Sequence, residues 1–145
     1  MSAETVGPRL LLDVNVVLDV LQRREPFFAE ASRVLAAAET GRVRGIVAAH
    51  TVTTLFYLVA KYESADTARV QITELLEFLE VAPVDEMVLQ KALALPYRHF
   101  EDAVQMMAAV RAEAEYLVTR NVGNYAAGPL PAVSPAEVAS LLATT

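Results

Sequence analysis

The stretch RLLLDVNVVLDVL, residues 9–21, decides the fold of this 145-residue chain. Its first part is a short continuous apolar run, which is typical of a strand buried on both faces of a sheet. From Val14 onward the apolar residues recur at helical spacing, so the strand is predicted to pass directly into a helix. Asp13 lies at the junction, where burying its charge is costly unless another group pairs with it or a cation binds it.

The rest of the chain continues this alternation of strand and helix. Further extended segments are predicted at 42–50, 81–84 and 116–119, and residues 120–131 are predicted to be a loop. Helices are predicted over 14–24, 26–41, 51–62, 64–80, 85–95, 99–115 and 132–142. Pro26 suits the first turn of its helix, and Ser134 is the expected N-cap of the last one. The alternation predicts an α/β fold with a mostly parallel sheet.

Composition and length indicate one compact domain. The chain is 54% hydrophobic and 21% charged, and it contains no cysteine, which excludes disulfides and thiolate metal sites. No repeat or internal linker divides it, so we expect an N-terminal tail over 1–8 and a single domain over 9–145. Residues 1–9 have no apolar core of the kind a secretory signal needs, and no apolar run is long enough for a membrane span. We therefore expect a cytoplasmic protein.

Several catalytic classes are excluded by missing motifs. The sequence has no glycine-rich phosphate-binding loop and no GxSxG nucleophile motif. His50 and His99 are isolated and lack zinc-site spacing, so both are expected to be structural or surface residues. The net charge of −6 disfavours a non-specific nucleic-acid binder. A metal-dependent nuclease is still compatible with this charge, because bound cations reverse the field of an acidic cluster.

The remaining polar candidates lie where a parallel sheet places its ligands, beyond the carboxyl ends of the strands. Asp13 ends the first strand, and Thr119, Asn121 and Asn124 follow the strand at 116–119. Asp102 opens the helix at 99–115 and shares one side of it with Gln105, whereas Glu101 points elsewhere. An acid at a helix N-terminus is also an ordinary partner of the helix dipole. If both aspartates belong to a site, its oxygen ligands suit Mg²⁺ and the hydrolysis of phosphodiesters.

Three blocks of the sequence resemble the signature blocks of a known family, in the family's order. LLLDVNVVLDVL, FEDAVQMMAA and YLVTRNVGNY are similar to those of PIN domains, in the branch that includes the VapC-type toxins of toxin–antitoxin pairs. The resemblance covers residues 9–142. It implies a three-layer α/β/α sandwich with a central parallel sheet, and Mg²⁺- or Mn²⁺-dependent cleavage of single-stranded RNA. It also implies an antitoxin partner and a homodimer.

The resemblance also assigns roles to individual residues. It implies that Asp13 and Asp102 hold the metal and that Glu101 and Asn124 assist catalysis. Support for these ligands is expected from Asn15, Thr119 and Asn121. Two positions depart from the family pattern, because Thr54 and Asn124 stand where many members carry an acid. An amide oxygen still binds a metal but contributes no charge, so these departures argue against two metals and favour either one metal or weak activity.

Two other interpretations stay open at this stage. The missing acids are compatible with a catalytically degenerate PIN-fold module that binds RNA or protein. An unrelated receiver-like or flavodoxin-like α/β protein would use Asp13 as a phosphoacceptor or as a structural cap. The apolar stretches TVTTLFYLV and LLEFLEVAPV fit either the core of the domain or a groove for a dimer or antitoxin contact.

Overall fold

The computed structural model describes residues 7–143, so residues 1–6 of the predicted tail and the last two residues lie outside the described part. The strands are β1 (Arg9–Leu12), β2 (Arg44–Ala48), β3 (Glu80–Ala82), β4 (Tyr116–Val118) and β5 (Ala132–Val133). The helices are α1 (Val14–Leu21), α2 (Phe28–Glu39), α3 (Ala49–Tyr62), α4 (Ala65–Leu75), α5 (Glu86–Leu93), α6 (Phe100–Arg111) and α7 (Pro135–Ala143). A 3₁₀-helix, Val122–Tyr125, follows β4.

The five strands form one sheet in the order β3-β2-β1-β4-β5, and every neighbouring pair is parallel. This confirms the predicted α/β class. The fifth strand was missed, because it is only two residues long and falls at the start of the helix predicted over 132–142. A two-residue strand has no alternation of its own that a sequence pattern can reveal.

Helices cover both faces of the sheet, which confirms the three-layer sandwich. The three consecutive leucines of β1 supply both interfaces, because side chains alternate along a strand. Leu10 and Leu12 belong to the core with α1, α2, α4 and α7. Leu11 packs on the opposite side, where Ala108 and Ala109 of α6 bring that helix close to the sheet. The apolar run of residues 10–12 is therefore buried on both faces, as the sequence predicts.

The helix ends are set by local chemistry. In α7, the Ser134 side chain accepts from the backbone of Glu137, whose carboxylate accepts from the backbone of Ser134, so the predicted cap is a capping box. The helix predicted from Pro26 begins only at Phe28, and the one predicted to reach residue 80 ends at Leu75. Within residues 7–143, no helix is both long and apolar enough to cross a membrane.

The order of the strands creates the crevice that holds the polar residues. The chain builds β1, β2 and β3 outward in one direction and then places β4 on the other side of β1. Ligands of open parallel sheets bind at such a reversal, beyond the carboxyl ends of the strands. Asp13 follows β1 and Thr119 follows β4, and the backbone N–H of Asp13 donates to the carbonyl of Val118 at 2.9 Å. Two predicted site residues thus meet at the reversal.

Candidate active site

Asp13 is the most deeply buried acid of the crevice, with only 4% of its surface exposed. The hydroxyl of Thr119 donates to its Oδ2 at 2.7 Å, and the Nε2 of Gln105 donates to its Oδ1 at 3.1 Å. Thr119 is itself fixed, because its hydroxyl oxygen accepts from the backbone N–H of Asn121 at 3.0 Å. Two uncharged donors therefore orient the Asp13 carboxylate, and each oxygen keeps a second lone pair.

Gln105 joins four parts of the site. Its side chain is buried, and its Nε2 donates both to Asp13 and to the hydroxyl of Tyr125, the latter at 2.8 Å. Its Oε1 accepts from the backbone N–H of Val14 at 3.2 Å and from the hydroxyl of Thr51 at 3.3 Å. These bonds use both donors and both lone pairs of the amide. The amide therefore has one favourable orientation, which places its donor on Asp13.

Tyr125 continues the network to the second aspartate. Its hydroxyl accepts from Gln105 and donates to the Oδ1 of Asp102 at 3.0 Å. Its ring meets the ring of Tyr97 edge-on at 5.8 Å, and the Tyr97 hydroxyl donates to its backbone carbonyl at 3.2 Å. A Cβ on Gly128 would overlap the Tyr97 hydroxyl, so glycine at this position leaves room for the Tyr97 side chain to reach the Tyr125 carbonyl. Asp13 and Asp102 are thus joined through one amide and one phenol.

The aspartates face a small polar cleft of about 110 Å³. Strand ends, α1, α3 and α6 contribute its walls, which are formed by Asp13, Val14, Asn15, His50, Thr51, Thr54, Glu101, Asp102 and Gln105. The lining contains three carboxylates and neither lysine nor arginine, so the cleft is negatively charged. Its size and charge suit a small cation with a few waters rather than an organic ligand.

Electrostatics in the cleft disfavour further negative charge. Burial raises the pKa of Asp102, and the charges of Asp13 and Glu101 add to this, while the Tyr125 hydrogen bond and His99 act in the opposite sense. Burial, followed by the charges of Asp13 and Asp102, raises the pKa of Tyr125 far above its usual value, so its hydroxyl remains a donor. A divalent cation between the aspartates would relieve this repulsion.

His50 is a cleft residue that the sequence did not single out. Burial lowers its pKa, although the Glu101 carboxylate opposes the shift. Its Nδ1 is buried and has no hydrogen-bond partner among the described residues. At neutral pH the imidazole is therefore uncharged and adds no positive charge to the cleft.

The other predicted site residues divide into two groups. Glu101 and Thr54 line the cleft, although the Thr54 hydroxyl donates to the backbone carbonyl of His50 at 3.2 Å. Asn15 also lines it, but its Oδ1 accepts from Arg24 at 3.3 Å, so the predicted contact with Asp13 is not formed. Asn124 is exposed and is absent from the cleft walls. Successive residues of a 3₁₀-helix diverge, so the inward direction of Tyr125 turns Asn124 outward.

A second buried acid lies beside the cleft. Asp19 is only 1% exposed, and Arg120 Nη2 donates to its Oδ1 at 3.3 Å. The Nε of Arg120 lies 3.0 Å from Oδ2 as an ion pair without hydrogen-bond geometry, and Arg24 Nη1 lies 3.8 Å from Oδ1. Asp19 therefore belongs to an ion-pair cluster separate from the network around Asp13.

Sequence reasoning missed the roles of Gln105 and Tyr125. The spacing of Gln105 from Asp102 placed both on one side of α6, which was the available signal. No local sequence pattern identifies Tyr125 as a site residue, because its partner Gln105 lies on a helix 20 positions away in the chain.

Comparison with known proteins adds a family and a set of similar folds. A family model described as PIN domain matches residues 9–123. A toxin–antitoxin complex from Klebsiella pneumoniae is similar at 22% identity and a TM-score of 0.65, over 87% of this chain and 97% of that chain. No curated protein matches.

Two further solved structures are similar over most of this chain. VapBC2 from Rickettsia felis, bound to a DNA fragment from its promoter, is 15% identical with a TM-score of 0.66, over 87% of this chain and 98% of that chain. A VapC toxin of Mycobacterium tuberculosis, described as cleaving the sarcin–ricin loop, is 12% identical with a TM-score of 0.60, over 74% and 86% of the two chains. At these identities the structures support the shared fold.

Proposed function

The chain belongs to the PIN-domain family, since the family model matches residues 9–123, and from that premise we propose that it is a metal-dependent ribonuclease that cleaves single-stranded RNA. The observation that carries the proposal is the pairing of Asp13 and Asp102 at one cleft, held through Gln105 and Tyr125. A connected and nearly buried network of this kind holds both carboxylates in place before any ligand arrives.

The donor set of the cleft fits Mg²⁺ or Mn²⁺. Both ions prefer oxygen ligands, and Mg²⁺ is usually held by one or two carboxylates together with waters and substrate phosphates. Within residues 7–143, no three acidic or histidine side chains cluster closely enough to form an all-protein cage. We therefore propose that Asp13 and Asp102 hold one cation. When bound, such a cation activates water and neutralises charge on the phosphate being attacked.

The chain's own residues have distinct roles in this proposal. Thr119 and Gln105 orient Asp13, and Tyr125 orients Asp102. Glu101 faces the same cleft from the first turn of α6, where it is exposed enough to act through a water molecule. Asn121 supports Thr119 through its backbone, and a catalytic contribution from Asn124 remains a prediction.

The proposal extends to a biological role. The similar solved structures include toxin–antitoxin complexes and a toxin described as cleaving the sarcin–ricin loop. We propose by analogy that this chain is the toxin of such a pair, that it acts in the cytoplasm as a homodimer, and that an antitoxin protein inhibits it. Expression of the chain alone should arrest bacterial growth, and expression of D13N should not.

Cleavage of single-stranded RNA tests the proposal directly. With Mg²⁺ or Mn²⁺ present, the parent protein should cleave the RNA, and D13N should be slower by at least about 100-fold. Chelation with EDTA should abolish cleavage by the parent. The matched control is D66N, which removes an exposed acid from the first turn of α4. Equal cleavage by D13N and the parent would contradict the proposal.

A binding module with a degenerate site is the second candidate. Two observations favour it: the absence of a three-ligand cluster within residues 7–143, and the use of the Thr54 hydroxyl by a backbone carbonyl. Calorimetric titration with Mn²⁺ separates the two candidates. Millimolar or absent binding, with no cleavage of RNA, would favour the binding module, and micromolar binding would favour the nuclease.

A further inference from the structure

We infer that an open groove beside the cleft is a binding subsite for one nucleotide of a single-stranded RNA. The groove is lined by Gln22, Arg24, Tyr62 and Glu63 and has a volume of about 340 Å³. That volume is within the range of ordinary small-ligand sites, which begins at roughly 300 Å³. The inference rests on the proposed function and adds the direction in which the RNA strand leaves the aspartates.

One hydrogen bond links the lining of the groove to the lining of the cleft. Arg24 lines the groove, and its Nη1 donates to the Oδ1 of Asn15, which lines the cleft. Arg23 has a φ of 50°, and the backbone N–H of Arg24 donates to the carbonyl of Asp19 at 3.0 Å, so a left-handed turn closes α1. This turn reverses the chain and lets Arg24 reach back along its own helix toward Asn15.

Tyr62 supplies an aromatic surface at the other wall. It is 66% exposed at the end of α3, and the Nζ of Lys61 lies 5.5 Å from its ring centroid. Proteins that bind single strands combine an exposed aromatic ring, on which a base stacks, with nearby cations that contact the backbone. Tyr62 provides the aromatic ring of this combination, with Lys61 beside it, and Arg24 provides a cation in the same lining.

The side chains around Arg24 carry a net positive charge that favours binding of an anion. Asp19 is shared by Arg24 and Arg120, so the three side chains together carry one net positive charge. The guanidinium of Arg120 also stacks over the Phe27 ring at 4.0 Å, which leaves Arg24 as the cation nearer the groove. Glu63 is the acidic member of the lining, so a phosphate is expected at the Arg24 wall and a base at the Tyr62 wall.

The lining favours a nucleotide over a protein segment. Three of its four side chains are polar or charged, and the fourth presents an open aromatic ring. A hydrophobic anchor from a protein partner needs apolar walls, which this groove lacks. A base with its attached phosphate matches both the aromatic face and the cation.

Binding measurements in the D13N background test the inference without cleavage of the probe. The probes are fluorescein-labelled single-stranded RNAs of two and six nucleotides, followed by fluorescence anisotropy. Y62A should weaken binding of the longer RNA by about tenfold, since one base loses its stacking partner. Y62F keeps the ring and should bind within about twofold of the D13N background. The two-nucleotide RNA, held through its phosphate at the mouth of the cleft and too short to extend to Tyr62, should bind equally to all variants.

The chain offers a closely matched control in Tyr57. It lies on the same helix, is 61% exposed and has Lys61 Nζ 5.9 Å from its ring, but it does not line the groove. Y57A should therefore bind the longer RNA like the D13N background. If Y62A binds the longer RNA as tightly as Y57A does, the assignment of the subsite is wrong, and a protein partner becomes the better occupant of the groove. Cleavage of RNA by the parent protein would still support the proposed function in that case. If the parent neither binds nor cleaves RNA, both proposals fail together.

Salt dependence gives a second measurement for Arg24. R24Q should reduce the slope of log Kd against log salt by about 0.7 for the longer RNA, as expected for the loss of one phosphate contact on a single strand. R33Q, which changes an exposed arginine of α2, should leave the slope unchanged. An unchanged slope in R24Q, with its melting temperature preserved, would overturn the assignment of the phosphate to Arg24.

Discussion

Asp13 precedes the first residue of α1 and Asp19 lies near the end of that helix, and both are almost fully buried, yet they have different surroundings. Asp13 is held by the uncharged donors Gln105 and Thr119. Asp19 is held by two guanidinium groups, those of Arg120 and Arg24. Uncharged donors orient a carboxylate without cancelling its charge, whereas arginines neutralise it. The first arrangement leaves a negative site for a cation, and the second builds a structural ion pair.

Burial alone does not show which carboxylate can bind a metal. Either aspartate would look equally unusual from its exposure. The chemical nature of the partners separates them, because only Asp13 keeps its charge uncompensated and faces a cleft. The following variants test this distinction, beginning with the largest expected effect.

Replacing Asp19 with Asn should destabilise the fold strongly. The change leaves Arg120 and Arg24 without their shared carboxylate, which is costly for a buried ion pair. Burial raises the pKa of Asp19 despite both arginines, so removing its charge recovers part of this loss, and the net cost should be about 2 kcal/mol of unfolding free energy. Urea denaturation provides the measurement. D13N is the matched control and should lose less than about 1 kcal/mol, since the Thr119 hydroxyl is able to accept as well as donate. Equal losses in both variants would contradict the distinction between the two aspartates.

Replacing Gln105 with Leu should disturb the site more than the fold. It removes four hydrogen bonds and leaves the Asp13 carboxylate without one of its orienting donors. We expect Mn²⁺ affinity, measured by calorimetry, to fall by roughly 10- to 100-fold. Unfolding free energy should fall by about 2 kcal/mol. The control Q90L alters an exposed glutamine whose side chain contacts only Glu86, so unchanged affinity in Q105L as well would refute the role of Gln105.

Replacing Tyr125 with Phe should produce a smaller, specific effect. The ring and its contact with Tyr97 remain, but Asp102 loses its hydrogen bond. Both Y125F and the control Y97F should lose about 1 kcal/mol of stability, since each removes one hydroxyl. Only Y125F should reduce Mn²⁺ affinity and the cleavage rate, by several-fold. If Y97F reduces them equally, general loosening of the loop explains the effect instead.

Replacing Asp102 with Asn should raise stability slightly at neutral pH while it removes activity. The folded protein raises the pKa of Asp102 above its ordinary value of 3.8, so ionisation above that folded value costs stability. Asn avoids this cost, and the melting temperature at pH 7 should rise by roughly 1–3 °C. The gain should shrink as the pH falls through the raised folded pKa and vanish below the ordinary value of 3.8, where Asp102 is protonated in both states. A gain that grows on acidification would reverse the assigned sign.

Much of the architecture was predictable because its signals are local. The alternation of strands and helices, the position of Asp13 after β1 and the cap at Ser134 each depend on a few neighbouring residues. The strand β5 was not predictable, because two residues are too few to show the alternation of apolar and polar side chains that is typical of a strand. Its position in the sheet is set by pairing with β4. The start of α2 at Phe28 rather than at Pro26 is likewise a property of the folded chain.

The residues of the candidate site were likewise only partly predictable from the sequence. Asp13, Asp102 and Glu101 were selected from the sequence, and the structure brings all three to one cleft. Asn124 was selected by its place in a motif, yet its neighbour Tyr125 is the residue that turns inward. The direction of a side chain in a short 3₁₀-helix depends on how the helix packs, which the residue types alone do not reveal.

The sequence by itself determined which residues form the strands and helices and that a carboxylate follows the central strand. Only the tertiary structure decided what each buried carboxylate contacts. Thr119 is 106 positions from Asp13, Gln105 is 92 positions from it, and Arg120 is 101 positions from Asp19. Periodicity describes the backbone over a few residues, whereas these partners are set by the order of strands in the sheet. That order places an uncharged pair beside one aspartate and two arginines beside the other.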